Sequence, residues 1–503
     1  MKRFILLFVF SLVLQMLAFT QPCLPEGIQF YSQEGIDNFQ IDYPNCNEIE
    51  GSVFIEGNDI SNLNGLSVVN KIFGEFFIGG FNGGNPSLNS LEGLDNLTTV
   101  EGDLWIEDND VLVNLTGLNS LTKIGGDLSI ENNGSLIDLT GLNNLDSVGG
   151  TFRIISNDLM TNLNGIDNLV SINESFDIFT NYNLENISSL ENINSIGVDL
   201  RIVNNDELIN LDGLNNIASI GQELSISNNY KLKNLSGLNG LSYVGGDLRI
   251  IENDSLASLS GLENITEIGN GLQISDNQNL TSLSGIDNIT IIEGGLWIKG
   301  NYSLTNIDNL QNLTTIGNDF LYIGYNNSLG TLTGLSNVTS VGGYLRITDN
   351  PTLGSLEGLN NINYTTISHL FLTNNSSLAT CEVQSICDYL ASPTGTIEID
   401  NNFSGCNNIE EVEEACEALS VSDLIRNQHL SIFPNPAKSE IFISNQHGMK
   451  IEKASIYNQF GQEVMNINEI GKHINVSKLK QGIYIIELTS NAMKIKEKLM
   501  IIE

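Results

Sequence analysis

The chain is short of histidine, proline and basic residues. Its 503 residues include four His and eight Pro, and 21 Lys and Arg stand against 60 Asp and Glu. Three histidines, His429, His447 and His473, lie within the last 80 residues, which leaves His369 alone in the body. A His-rich metal centre there is excluded, and a Cys nucleophile would have only His369 as its base. The formal net charge of −39 opposes nucleic acid and anionic membrane surfaces, because phosphate recognition needs a basic footprint. Few prolines beside 48 glycines point to regularly spaced turns rather than a flexible tract. No cysteine occurs in the roughly 330 residues between Cys46 and Cys381. Past the N-terminus, no segment is apolar enough to cross a bilayer.

What is present starts with an export signal. Lys2 and Arg3 precede an apolar run from Phe4 to Leu14, and Ala18-Phe19-Thr20 sets small residues before a cut at Thr20/Gln21. Residues 1–20 read as a secretory signal peptide, too short for a membrane span. The cysteines agree with export. Cys23 and Cys46 precede the body, and Cys381, Cys387, Cys406 and Cys416 follow it. An oxidising compartment and an even count favour disulfides, and the absence of any Cys-x-x-Cys pair argues against zinc. We expect Cys23–Cys46 at one end and two bonds among the other four. The sequence does not fix that pairing; Cys381–Cys406 with Cys387–Cys416 is preferred.

The body is one repeat, thirteen times. A leucine or isoleucine recurs from Leu66 and Leu94 to Leu335 and Leu359, in steps of 28, then 24 nine times, then 25 and 24. An asparagine runs in phase from Asn85, through Asn133, Asn157 and Asn229, to Asn350 and Asn375. A fixed period in the twenties means a solenoid, whose units bury their apolar edges only against neighbours. In Gly126-Asp127-Leu128-Ser129-Ile130, apolar and polar residues alternate as in a strand with one buried face. Stacked at the repeat interval, such strands must run parallel. The asparagine faces a buried turn, where its amide can satisfy backbone groups of adjacent rungs. Helix signals are nearly absent between strands, so short turns or 3₁₀ pieces are expected there. From Gly51–Ile55 to Gly395–Ile399 there are about 15 rungs, a rod on the order of 70 Å long. The helices are expected at Cys381 to Leu390 and Ile409 to Leu419.

The pattern Ile-Gly-Gly-Asp-Leu-x-Ile-x-x-Asn, as at Ile124 to Asn133, resembles the leucine-rich repeat in its receptor L-domain variety, over roughly residues 47 to 405. The resemblance implies a mainly β, parallel solenoid that serves as a binding scaffold. It does not imply a ligand.

The last 80 residues differ. Val421 to Glu503 holds 10 basic and 8 acidic residues, so with a leader at +2 the body alone carries −43. Alternation at Glu440 to Ser444, Ile451 to Tyr457 and Gly482 to Leu488 argues for a small β-sandwich. Phe433-Pro434-Asn435-Pro436, Ile456 to Gly461, the stretch Leu479 to Tyr484 with Gly482 and Tyr484, and the Lys-rich strand Lys494 to Ile501 resemble the type IX secretion C-terminal sorting domain of Bacteroidetes. Phe433 stands where that family usually has Tyr. The resemblance implies passage through the outer membrane by the type IX machinery, removal of the tail, and display on the cell surface or release from it. The organisation is then a signal peptide at 1–20, an N-terminal cap at 21–50, a solenoid at 51–380, a disulfide-rich cap at 381–420, a linker at 421–430 and the sorting domain at 431–503.

Candidate binding residues follow from the strand pattern. The residue between each buried pair points outward, and both tryptophans hold such positions. Exposed aromatics mark interfaces. Two clusters emerge: Phe54, Phe77 and Trp105 early, and Trp297, Tyr322, Arg346 and Phe371 late, with Tyr344 and Phe320 beside them. Cross-strand stacking also stabilises a sheet without any ligand. Arg153, Asp177 and Arg201 read as a structural charge ladder. The flanking acids read as a solvated surface; neither a calcium loop nor any cofactor is expected. Paired carboxylates in one cleft, as a glycan hydrolase needs, are not evident. The leading reading is a non-enzymatic exported binding or adhesion protein for an extracellular protein or glycan. A passive surface-coat component and a carbohydrate-active enzyme are the alternatives.

Overall fold

The computed structural model describes residues 22–80, 83–317, 319–417, 430–445, 451–468, 473–490 and 493–502. The signal peptide, most of the linker and part of the loop near Phe81 to Gly84 fall outside them. The chain divides into two compact units, Met1–Glu411 and Val412–Glu503.

One turn of the first unit explains the others. Leu112, Leu115, Leu118, Leu121, Ile124, Leu128 and Ile130 are all fully buried. They point into one continuous core because the chain folds back at every third or fourth residue. The strand Leu128–Glu131 pairs in parallel with Phe152–Ile155, putting Leu128 opposite Phe152 and Ile130 opposite Ile154. Repetition builds a parallel sheet of 16 strands, from Ile28–Phe30 to Ile397–Asp400. Fifteen of these are the anticipated rungs; Ile28–Phe30 adds one inside the N-terminal cap.

Three features depart from the sequence reading. A second parallel sheet of 13 two-residue strands, such as Lys123–Ile124, runs along the rod from Glu48–Ile49 to Ser340–Val341. Two residues are too few to show alternation, so its periodicity is invisible in one repeat. An α-helix, Gln33–Asp42, lies in the N-terminal cap, with Ser32 accepting from the Gly35 N–H. Only Ile36 and Phe39 of this helix are buried, a stripe too thin to signal amphipathicity. The helix expected from Cys381 spans Gln384–Ala391 instead. Residues 409–417 are helical as expected, and 3₁₀ turns such as Ser236–Leu238 occupy several inter-strand corners. Cys23 bonds Cys46 and Cys381 bonds Cys406, while Cys387 and Cys416 are each disulfide-bonded as well.

The asparagine column holds the rungs in register. Asn133 Nδ2 donates to the Ile106 carbonyl at 2.8 Å, the Glu131 carbonyl at 3.0 Å and Asn157 Oδ1 at 3.3 Å, and its N–H donates to the same Oδ1 at 3.2 Å. The pattern continues rung by rung and ends on Asn402, 27 residues past Asn375 and out of phase with the repeat. All of Asn85 through Asn375 are fully buried. The residue before each asparagine turns into left-handed backbone, even where it is Thr180 (φ 58°) or Tyr325 (φ 58°). Such a residue costs roughly 1–2 kcal/mol when it is neither glycine nor Asn or Asp, so the column's hydrogen bonds must offset that strain at rungs such as those of Thr180 and Tyr325. Close approach also dictates Gly141: a Cβ there would lie 2.0 Å from the Leu115 carbonyl oxygen.

The second unit is a two-sheet antiparallel sandwich. Leu430–Phe433, Glu440–Asn445 and His473–Asn475 form one sheet. Glu463–Ile467, Lys453–Asn458, Gly482–Ser490 and Met493–Ile501 form the other. Ile432, Ile441 and Ile474 from the first meet Ile456, Ile486 and Leu499 from the second in one core. Asn435 ties in the last strand, donating to the Lys498 carbonyl at 2.6 Å and accepting from the Met500 N–H at 2.9 Å.

Asn229→Ala removes the donors to the Ile202 and Ser227 carbonyls and the acceptor of the Asn205 N–H. With several buried groups unpaired, the expected loss is about 3 kcal/mol or more. Guanidinium unfolding checks it, and a midpoint unchanged from the parent would contradict the column's role.

Candidate functional site

In-register parallel pairing repeats each sequence position along the rod, so identical positions become columns. The middle strand residue makes one column, and the residue just before the strand makes another.

The pre-strand column is acidic through much of the rod, and its carboxylates have a backbone job. Asp103 Oδ1 accepts from the Asp127 N–H at 2.7 Å, and Asp127 Oδ1 from the Thr151 N–H at 2.8 Å. Asp199 Oδ1 accepts from the Glu223 N–H, and Asp247 Oδ1 from the Gly271 N–H. A solvated-surface reading therefore understates these acids, since each satisfies an amide of the following rung. Their other oxygens hold the arginines. Arg153 pairs with Asp127 at 2.8 Å and Arg201 with Asp177 at 2.8 Å, with Asp199 at 3.5 Å from Arg201. The expected charge ladder thus has Asp127 as the partner of Arg153. Asp177 is buried, which pushes its carboxyl up against the opposing pull of Arg201. Among the described residues, no three His, Cys, Asp or Glu side chains converge as metal ligands would.

After Asp247 the column changes character. The positions become Gly271, Gly295, Phe320, Tyr344 and His369. Here too the middle column changes, to the aromatics Trp297, Tyr322 and Phe371 with Arg346 between them. The structure brings all the late candidates together. Trp297 meets Tyr322 edge-on at 5.2 Å and Phe320 at 5.7 Å. Phe320 stacks on Tyr344 at 4.9 Å, and Tyr344 meets Phe371 at 6.4 Å. The Arg346 guanidinium lies 4.8 Å from the Phe371 ring and 6.0 Å from the Tyr322 ring. Among the described residues Arg346 makes no ion pair, and it is exposed.

Two glycines fix the rings in place. A Cβ on Gly295 would lie 3.1 Å from three atoms of the Phe320 ring, and one on Gly324 would lie 2.9 Å from Tyr322 Cε2, Cζ and Oη. Each ring therefore rests on bare backbone. Tyr322 is only 9 % exposed, which corrects its reading as an outward contact. Burial is also the main reason its phenol is pushed up to about 12. Trp297, Tyr344 and Phe371 are half-buried. His369, absent from the sequence-derived candidates, joins the column and accepts from the Thr396 N–H at 2.9 Å. A cleft of about 210 Å³ opens beside the rings, floored by Gly271 and Gly295.

The early cluster is different. Phe54, Phe77 and Trp105 form a plain stack, with ring centroids 4.8 Å and 5.6 Å apart. It has no glycine floor and no cationic member. The indole nitrogens of both Trp105 and Trp297 are buried without a hydrogen-bond partner.

Comparison with known families places both units. Residues 431–502 match the secretion system C-terminal sorting domain, and residues 240–334 match the receptor L domain. The second match contains Asp247, both floor glycines, Trp297 and Tyr322. No curated protein matches the chain. The chain is thus an exported, L-domain-like repeat protein with a type IX sorting tail. No helix among the described residues is long and apolar enough to cross a membrane.

Beside Trp105, Glu107 faces Glu131 across adjacent strands. Burial first, then the charges of Glu131 and Asp108, push the Glu107 carboxyl up to about 7 from the ordinary 4.5. A raised folded value means the stabilising form is the protonated one. That stability is complete below the ordinary value and is lost as pH rises through about 7. Glu107→Gln should therefore raise the denaturation midpoint at about pH 8 and leave it unchanged near about pH 4. An equal shift at both pH values would contradict the assignment.

Proposed function

We propose that the solenoid is a non-enzymatic binding module, carried to the cell exterior by its tail, and that the strand face from Asp247 to Phe371 meets the ligand. The carrying observation is the paired change of two columns. Structural acids give way to glycines and aromatics in the same rungs where the neighbouring column becomes Trp297, Tyr322, Arg346 and Phe371. No such recess accompanies the early Phe54–Phe77–Trp105 stack. Arg346 supports the reading, because it spends its charge on ring faces and remains exposed. The binding rather than catalytic role is supported by Asp247, one of the two acids that line the cleft. Asp247 is committed to Arg249 at 2.6 Å and to the Gly271 N–H at 2.8 Å, so it is poorly placed as a free nucleophile or base.

Two measurements test this. Protein lacking Ser431–Glu503, probed against arrayed extracellular proteins and glycans, should show a specific ligand. The double variant Arg346→Ala/Phe371→Ala should weaken that binding by about tenfold or more with an unchanged melting temperature. Full affinity in the double variant, or no ligand at high micromolar concentration, would overturn the proposal. In the native host, deletion of Ser431–Glu503 should leave the protein in the periplasm; normal surface delivery without it would contradict the tail's role.

A further inference from the structure

We infer that the cleft beside Phe320 takes a neutral sugar ring. The inference rests on the binding reading above and names the class of ligand.

The cleft exists because the repeat is broken at two successive rungs. Where the preceding rungs carry Glu223 and Asp247, the next two carry Gly271 and Gly295. Phe320 covers Gly295, and beside its ring, lined by Gly271, a recess of about 210 Å³ stays open. That is smaller than the pockets that hold drug-sized ligands, and it suits a single small ring.

Its walls have opposite characters. One is aromatic: Phe320 lies over Gly295, and Trp297 meets it at an interplanar angle of 77°, so two ring planes form a corner. The other is polar and carries Arg249, Asn270 and Gln273. A pyranose has this same division, with C–H groups on its faces and hydroxyls around its edge. The faces bury well against aromatic rings, and the hydroxyls both donate and accept.

The charge arrangement disfavours anionic ligands. Arg249 is held by Asp247 at 2.6 Å and by Glu223 at 3.1 Å. Asp247 is also held by the Asn270 side-chain amide at 2.8 Å and the Gly271 N–H at 2.8 Å. A cation seeking Asp247 would have to displace Arg249. An anion would meet Asp247 and Asp319 together, with Arg249 already paired. Neutral hydroxyls are what the side-chain amides of Asn270 and Gln273 can still engage. The Gln273 Nε2 contact with Ser275 Oγ is long, at 3.3 Å, and its carbonyl oxygen makes no bond among the described residues.

The test uses the exported protein on an array of neutral, carboxylated and sulfated oligosaccharides, followed by calorimetry with the strongest hit. We expect a neutral saccharide, with affinity changing less than about twofold between about 0.05 and 0.5 M salt. Gln273→Ala alters no packed core group and should weaken binding by about tenfold. Phe320→Ala should weaken it further, and a melting curve shows whether that variant is folded. Three results would overturn the inference: charged or salt-sensitive hits, a protein ligand with no sugar bound, or a neutral hit indifferent to Gln273→Ala. A protein ligand lost in Arg346→Ala/Phe371→Ala would leave the broader binding proposal standing, whereas no ligand of any class would sink both.

Discussion

The solenoid depends on one interaction, the side-chain hydrogen bond between asparagines of successive rungs. Each rung turns through a left-handed residue that most side chains resist, and each turn buries backbone carbonyls away from water. Buried, unpaired groups of that kind are expensive. The asparagine amide satisfies the preceding strand's carbonyl, its own strand's last carbonyl and the next asparagine. Because it must reach all three, it fixes rise and register together. In-register columns follow from it, and with them both the acid column and the aromatic face.

That dependence explains what was legible in the sequence. Period, strand position and the asparagine column are set by residue type, and they could be read from one repeat to the next. The cysteine ends and the tail were legible because they break the pattern. The helix Gln33–Asp42 was missed because just two of its residues face a core. The two-residue strands were missed because they are shorter than any period. Asn402 escaped because the cap shifts its spacing.

The site was half legible. Both tryptophans and the residues between Tyr322 and Phe371 stood out by size and place. The acids did not disclose their work, since an Asp that accepts a neighbour's N–H looks like an Asp that faces water. Gly295 and Gly324 were equally silent, as glycine in a turn-rich repeat ordinarily signals a turn. Their meaning lies in the ring that rests on each, and it appears only when adjacent rungs are seen together. Tyr322 shows the converse: its place in the alternation points outward, yet its neighbours close over it.

The asparagine column also has a direction. In the bonds between asparagines, each side-chain amide donates to the next Oδ1 on the C-terminal side and accepts from the asparagine before it. A column with polarity needs unlike terminators. At the N-terminal end a donor is required, and the Gly57 N–H supplies it to Asn85 Oδ1 at 2.9 Å. At the other end an acceptor is required, and the Cys406 carbonyl takes the Asn402 amide at 3.0 Å. The two caps are therefore not interchangeable, and the rod could not be extended by joining like end to like.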